Sequence, residues 1–239
     1  MTGLLAGRRI LVTGALGGIG TAVTRLIESE GGTVVGIDRP ESVARSGTHT
    51  AHGLDLTAAG ATDRARDLCR ELGGIDGLVN NAGIEYRAGL GEHTDDDWSR
   101  VMAVNLDVPF RLSRDLAGLL EAGPDAAIVN ICSIAVTGFA GQVAYDASKG
   151  GLQTLTRSLA VELGPEGIRA NAVCPGFIDT PMLDTGSLRD LAAKVARGLP
   201  LRRLGIPDDI GHAVVWLLSG RSRYITGQSL YVDGGMIRS

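Results

Sequence analysis

The sequence predicts an α/β protein, a single doubly wound parallel sheet with helices on both faces. Three observations predict it. Short apolar runs of strand length alternate with longer stretches of helical spacing, the order that builds βαβ units and a parallel sheet covered on both sides. The 35 glycines cluster at the ends of the apolar runs, where the chain must turn tightly or pass close to a ligand. The chain has 239 residues, 44% hydrophobic and 21% charged, enough for the buried core of one large domain.

The elements follow in order. Residues 9–13 (RILVT) read as a buried strand, followed by a glycine-rich turn and helical spacing over 19–30. Residues 33–37 (TVVGI) form a second strand ending at Asp38. A short strand near Gly53 and Leu54 runs to Asp55, and 58–72 is helical. Residues 77–80 (GLVN) are strand, and 95–120 is a long helical stretch interrupted at Pro109. Strand follows at 126–131, helix at 143–163, and strand at 168–173, stopping at Pro175. Residues 207–218 are helical and 228–232 make the last strand. With no linker, repeat or low-complexity tract, residues 1–239 read as one domain, with a substrate loop near 177–200.

Composition excludes several classes. A net charge of −4 gives no electrostatic reason to bind nucleic acid or an anionic membrane. No apolar run approaches the roughly 18 residues of a membrane span. Residues 1–10 lack the apolar core of a signal peptide. Cys69, Cys132 and Cys174 are odd in number and widely spaced, neither a disulfide framework nor a metal pattern, so a cytoplasmic location is expected. His49, His52, His93 and His212 make no HExxH-type pair, and no metal is expected; His49 and His52 read as a solvated loop pair.

In a doubly wound sheet, ligands bind beyond the carboxyl ends of the strands, and the unusual residues fall there. The first strand ends in the run Thr13 to Gly20, TGALGGIG. Its glycines would let the backbone approach a pyrophosphate, and the next helix offers free N–H groups and a positive dipole end. The second strand ends at Asp38, 24 residues after Gly14. A carboxylate there accepts hydrogen bonds from adenosine ribose hydroxyls and repels a 2′-phosphate. At about 4 Å and an effective dielectric near 20, two like charges cost roughly 4 kcal/mol. That favours NAD over NADP, with Arg39 as the cation that could offset it. Asp55 and Leu56 close the third strand, and Asn81, Ala82 and Gly83 the fourth.

Tyr145 and Lys149 stand four apart at the start of a helix, a spacing that puts both on one face. A tyrosine is a poor base at its reference pKa of about 10; a neighbouring ammonium favours the phenolate, and the pair can then exchange a proton with an alcohol near neutral pH. Only two lysines occur among the 23 basic residues, so position 149 reads as one that wants a compact ammonium rather than a guanidinium fork.

These motifs resemble the classical short-chain dehydrogenase/reductase family over nearly the whole chain. TGALGGIG resembles its TGxxxGxG cofactor loop, with Gly14, Leu16, Gly17, Gly18 and Ile19 as cofactor-binding positions. Asn80 to Gly83 resembles its NNAG motif, and Tyr145 to Lys149 its YxxxK motif. Ser133 resembles its catalytic serine and Asn105 its structural and catalytic asparagine; Pro175 and Gly176, with Ile178 and Thr180 beyond, resemble the segment that meets the nicotinamide. The resemblance implies a Rossmann-type sheet in the order 3-2-1-4-5-6-7, NAD(H) or NADP(H), and often a tetramer built on the two long helices.

One departure stands out. Ser133 precedes Tyr145 by 12 positions where the family shows 13, while Cys132 has the usual count. One residue is expected to be missing from the loop over 136–141, with Ser133 keeping the catalytic direction off the strand.

What the resemblance implies is an NAD-dependent alcohol dehydrogenase or ketone reductase. Ser133 and Tyr145 hold the substrate oxygen, and Tyr145 takes the hydroxyl proton as hydride leaves for the nicotinamide. Lys149 lowers the Tyr145 pKa and bonds the nicotinamide ribose, and Asn105 anchors a water in a proton relay. Two readings compete: an NADPH-dependent 3-oxoacyl thioester reductase, which Asp38 opposes, and a non-catalytic NAD-binding scaffold, which the set Asn105, Ser133, Tyr145 and Lys149 opposes. The pocket is expected from residues 84–87, 134–139 and 177–200, with 180–200 as a lid. Glu85, Tyr86 and Arg87 would suit a polyol, sugar or hydroxy acid, or be a solvated loop.

Overall fold

The computed structural model describes residues 3–47, 51–120, 125–184 and 188–238. His49 and residues 185–187 of the expected lid lie outside them. Among the described residues, strands β1 (Arg9–Thr13), β2 (Thr33–Asp38), β3 (Ala51–Gly53), β4 (Gly77–Asn80), β5 (Ala127–Ile131), β6 (Arg169–Pro175) and β7 (Ser229–Val232) form one sheet. Its order is β3-β2-β1-β4-β5-β6-β7 and every pairing is parallel. The helices are α1 (Gly18–Ser29), α2 (Pro40–Ser46), α3 (Ala61–Glu71), α4 (Asp95–Met102), α5 (Val108–Leu120), α6 (Val143–Leu163), α7 (Leu188–Gly198) and α8 (Pro207–Leu218). None is long and apolar enough to cross a membrane.

The continuous apolar character of the strands follows from burial on two sides. Ile10, Val12, Val79 and Val129 pack with Val23 and Ile27 of α1 and Ile210, Val214 and Leu218 of α8. Their chain neighbours Leu11, Leu78 and Ile128 point the other way, against Cys69 of α3, Leu112, Leu116 and Leu120 of α5, and Ala160 and Leu163 of α6. This is the two-residue period of a strand, with both faces in the core. Each large side chain so buried contributes about 1.5–3 kcal/mol before entropy is counted. The order reverses between β1 and β4, which opens the crevice at their carboxyl ends.

Three departures from the expected elements matter. The stretch 95–120 breaks at Ala103–Asp107, a widened π-type turn, and not at Pro109. Pro109 falls in the first turn of α5, where a missing N–H costs little. The helix α2 was not expected. It starts with a proline, ends at the left-handed Gly47 and buries none of its residues, so it carries no amphipathic signature. The third is α7, formed inside the segment expected as a lid, where Leu188 and Ala192 pack on Leu183.

Candidate active site

A cleft of about 760 Å³ lies across the strand ends. Its first wall is backbone. Gly17 caps α1 without a side-chain hydrogen bond, which leaves the first-turn N–H groups to a ligand. A Cβ on Gly20 would stand 1.9 Å from the Gly14 carbonyl oxygen, so only glycine lets α1 approach the turn this closely. The Thr13 hydroxyl accepts from the N–H groups of Asn81 and Ala82, both at 3.0 Å, while Asn81 Nδ2 donates to the carbonyls of Thr13 and Gly14 at 3.0 and 2.9 Å. These bonds lock the turn after β1 to the turn after β4. Thr13 heads the TGALGGIG run, and its role as a clamp between the two turns shows only once Asn81 and Ala82 meet it. Thr180 covers the glycine turn from the far side, its Cγ2 being 2.8 Å from where a Gly18 Cβ would be.

The adenosine end is polar. Asp38 Oδ2 accepts from Leu16 N at 2.9 Å and Oδ1 from Arg39 N at 2.8 Å, so two main-chain donors orient the carboxylate. The Arg39 guanidinium lines the cleft and lies 3.2 Å from Glu41 in an exposed pair. Asp55 accepts from the Thr57 hydroxyl and N–H at 2.7 and 2.9 Å. These bonds hold its carboxyl below the usual range, with a smaller contribution from Arg39. Ser42 and Arg45 of α2 line this end too, unseen in the sequence because α2 was. The bare helix start, the glycine turn and the oriented carboxylate fit the diphosphate and ribose of a nicotinamide dinucleotide.

At the other end Ser133, Tyr145 and Lys149 line one cleft. Tyr145 is in the first turn of α6 and Lys149 one turn on. Lys149 Nζ donates to the Ile131 carbonyl at 2.7 Å and lies 5.7 Å from the Tyr145 ring centroid. Burial pulls the Lys149 ammonium below its ordinary value. Burial likewise pushes the Tyr145 hydroxyl above its ordinary value, and the hydrogen bond with Ser133 only partly opposes this. Desolvation sets the direction at Tyr145, and the Lys149 N–H is turned to the Ile131 carbonyl.

Ser133 is extended at φ −169°, and its Oγ accepts from Ala135 N at 3.1 Å. It faces Tyr145. Cys132, one residue back, is buried with Leu152 and hydrogen-bonds the Cys174 thiol. Both residues border the cleft, but Ser133 is the one whose side chain meets Tyr145, and the loop that follows closes with Gly138 at φ 86°, open to glycine at no steric cost.

Asn105 does not line the cleft. It is fully buried in the π-type turn. Its Nδ2 donates to the Ile84 carbonyl at 2.9 Å and to Ser148 Oγ at 3.0 Å, and its Oδ1 accepts from Ile84 N at 2.9 Å. Each polar atom of the side chain has a partner, so Asn105 fixes the loop after β4 and the helix bearing Tyr145.

The structure places the remaining expected cofactor positions along the cleft. Gly14, Leu16, Gly17, Gly18, Ile19, Leu56, Asn81, Ala82 and Gly83 line the cleft, as do Pro175, Gly176, Ile178 and Thr180. Tyr86 does not: its ring stands edge-on to His93 at 5.2 Å and it hydrogen-bonds Asp97. Glu85 and Arg87 do line it, with Gln142, a residue not anticipated. Phe139 and Phe177 meet edge to face at 6.5 Å on the apolar side.

A family model described as enoyl-(acyl carrier protein) reductase matches residues 14–237. The chain is 37% identical over 245 residues to the 3-oxoacyl-(acyl-carrier-protein) reductase FabG of Thermotoga maritima, covering 98% of this chain and 99% of that one. A solved short-chain dehydrogenase/reductase, named glucose/ribitol dehydrogenase, from Brucella melitensis superposes with a TM-score of 0.92 at 32% identity, covering 100% of both chains. Another, described as an NAD(P)-dependent gluconate 5-dehydrogenase of Beutenbergia cavernae with NADP at low occupancy, gives 0.87 at 34% identity over 97% of each chain. The chain belongs to the classical short-chain dehydrogenase/reductase family. It is an oxidoreductase with a nicotinamide cofactor.

Proposed function

We propose that the chain transfers hydride between NAD(H) and a secondary alcohol or ketone, with Tyr145 as general acid/base. The observation that carries this reading is a single cleft with Ser133, Tyr145 and Lys149 at one end and the oriented carboxylate of Asp38 at the other. The nicotinamide supplies the hydride donor or acceptor. The α1 N-terminus holds the diphosphate, Asp38 the adenosine ribose, and Lys149 the nicotinamide ribose. Ser133 accepts from its own loop at Ala135 N, and its O–H, which meets Tyr145, is the donor that would pass to the substrate oxygen. Tyr145 keeps its proton at rest and donates it to the carbonyl oxygen in reduction; in oxidation it takes the hydroxyl proton. Lys149, fixed by Ile131, stabilises the phenolate that forms. Asn105 positions this set from behind.

The second reading, an NADPH-dependent 3-oxoacyl thioester reductase, draws on the name of the Thermotoga relative and the NADP of the Beutenbergia structure. Asp38 opposes it, since a 2′-phosphate would meet that carboxylate while Arg39 is paired with Glu41. The experiment is a panel of secondary alcohols, ketones and a 3-oxobutyryl thioester, read by nicotinamide absorbance. Turnover is expected with NAD(H) and simple alcohols or ketones. Turnover confined to NADPH and the thioester would replace this reading with the second. A homotetramer is proposed on the outward sides of α5 and α6, where Phe110 is 46% and Val161 79% exposed; a monomer by light scattering at micromolar concentration would count against it. A reducing cytoplasm suits the free thiols of Cys69, Cys132 and Cys174.

A further inference from the structure

We propose that Cys132 and Cys174 form a redox modification site beneath the catalytic end of the cleft: a small hydroperoxide oxidises the pair to an intramolecular disulfide, which stops turnover until a thiol reduces it. The effect on turnover rests on the Ser133–Tyr145 reading above; the disulfide itself does not.

The two cysteines are cross-strand partners. Ile131 of β5 pairs with Val173 of β6, and the ladder runs one residue further, with Cys132 N donating to the Val173 carbonyl at 2.7 Å. Cys132 therefore stands opposite Cys174. Both side chains point to the α6 face and pack with Leu152, while their neighbours Ile131 and Val173 point to the other. Neighbouring strands lie about 4.7–4.9 Å apart. That spacing suits the Cα separation of a disulfide but exceeds its usual Cβ separation of about 3.5–4.5 Å. Closing the bond must draw the two strand ends together.

What moves with them is the catalytic end. Cys132 lies between Ile131, whose carbonyl holds Lys149 Nζ at 2.7 Å, and Ser133. Cys174 leads into Pro175 and Gly176, which line the cleft, and its sulfur accepts from Ser133 N. A shift at either sulfur is passed directly to the serine, the lysine anchor and the Pro175–Gly176 segment. Such a site tolerates little movement, since a misplacement of about 1 Å can cost about 10²-fold in rate.

The two thiols have different parts. Cys132 lines the cleft, where a peroxide reaches it; Cys174 is fully buried behind it. The Cys174 S–H donates to the Cys132 sulfur. That bond holds the Cys132 thiol below its ordinary value against burial, with a further contribution from the Lys149 ammonium, and it pushes Cys174 up. The thiolate is the nucleophile, so Cys132 attacks first. Its sulfur takes one peroxide oxygen as the O–O bond breaks, giving a sulfenic acid, and the other oxygen leaves with a proton as water or an alcohol. The Cys174 sulfur then attacks the sulfenic sulfur; the S–S bond forms, the S–O bond breaks, and hydroxide leaves with the Cys174 proton as water. The pair loses two electrons and the peroxide gains them. Cys69 lies in a separate cluster against α3 and α5, and burial pushes its thiol to about 11, so it takes no part.

The test treats the full chain with hydrogen peroxide, with and without saturating NADH, and reads thiol titration, peptide mass mapping, turnover and NADH binding. Wild type should lose two of its three thiols, yield a linked Cys132–Cys174 peptide lighter by two hydrogens, and bind NADH more weakly. Its turnover should fall at least about tenfold and recover in dithiothreitol. NADH in the cleft should slow the reaction. Cys174→Ala, scored against its own untreated rate, should yield no linked peptide; without a resolving thiol, excess peroxide should carry Cys132 to the sulfinic acid, which dithiothreitol does not reverse. Cys69→Ala should behave as wild type. No linked peptide, a linked peptide with turnover and NADH binding both unchanged, or an equally reversible loss in Cys174→Ala would overturn the inference while leaving the hydride-transfer reading standing. A linked peptide with weakened NADH binding in a chain that turns over no alcohol before treatment would support the site and overturn the hydride-transfer reading.

Discussion

The two ends of the cleft are built from different materials. The end beyond β1 and β2 is largely main chain: the bare N-terminus of α1, the Gly14–Gly20 approach, and the Thr13 and Asn81 bonds that clamp two turns together. The end beyond β5 is side chain: Ser133, Tyr145 and Lys149 from three positions, with the Glu85–Arg87–Gln142 chain beside them. Backbone recognition tolerates little change of residue but accepts any ligand with the common diphosphate. Side-chain recognition can be rewritten one residue at a time. The contrast suits a family whose members' names differ in substrate.

Changes at the side-chain end should cost activity and spare the fold. Tyr145→Phe removes the proton carrier, so turnover should fall by at least about 10²-fold while NADH still binds. Lys149→Arg should fail as well, because the buried site bonded to Ile131 has room for a point ammonium and not a planar fork. Near-normal turnover in either variant, measured by NADH absorbance, would break the comparison at its catalytic end.

The next effect separates two adjacent residues. Ser133→Ala should lose about 10²-fold in turnover, the scale for removing a preorganised donor to a reacting oxygen. Cys132→Ala should change stability by roughly 1–2 kcal/mol and leave turnover close to wild type, since its thiol faces Cys174 and Leu152. An exchange of these behaviours would redraw the pocket around Cys132.

A change at the backbone end should do the opposite. In Gly20→Ala the new methyl meets the Gly14 carbonyl, an overpacking worth about 1–3 kcal/mol. Calorimetry should show a Tm lower by several degrees together with weakened NADH binding. An unchanged Tm would mean that the turn gives way easily and is not the rigid half.

Much of this was legible because it is local. Strands buried on both faces read as apolar runs, and the helical period puts Tyr145 and Lys149 on one face without knowledge of the rest. What escaped depends on neighbours distant in sequence. The widened turn at Asn105 has no periodic signature, and its purpose shows only when Ile84 and Ser148 come to it. The upward shift of Tyr145 comes from burial, which no spacing records. Arg39 reads as a lone cation for a 2′-phosphate, and its contact with Glu41 shows only in the folded chain. Glu85 and Arg87 face the cleft while Tyr86 turns away, an alternation any extended segment imposes but one that needs a known starting direction.

The central claim is that Asp38 commits this cleft to NAD(H). Isothermal titration of NADH and NADPH into wild type and Asp38→Ala tests it without a substrate. Wild type should bind NADH at least about tenfold more tightly, a modest share of the like-charge penalty near a 2′-phosphate, and Asp38→Ala should bring the two within a few-fold of each other. Equal or tighter binding of NADPH by wild type would contradict it.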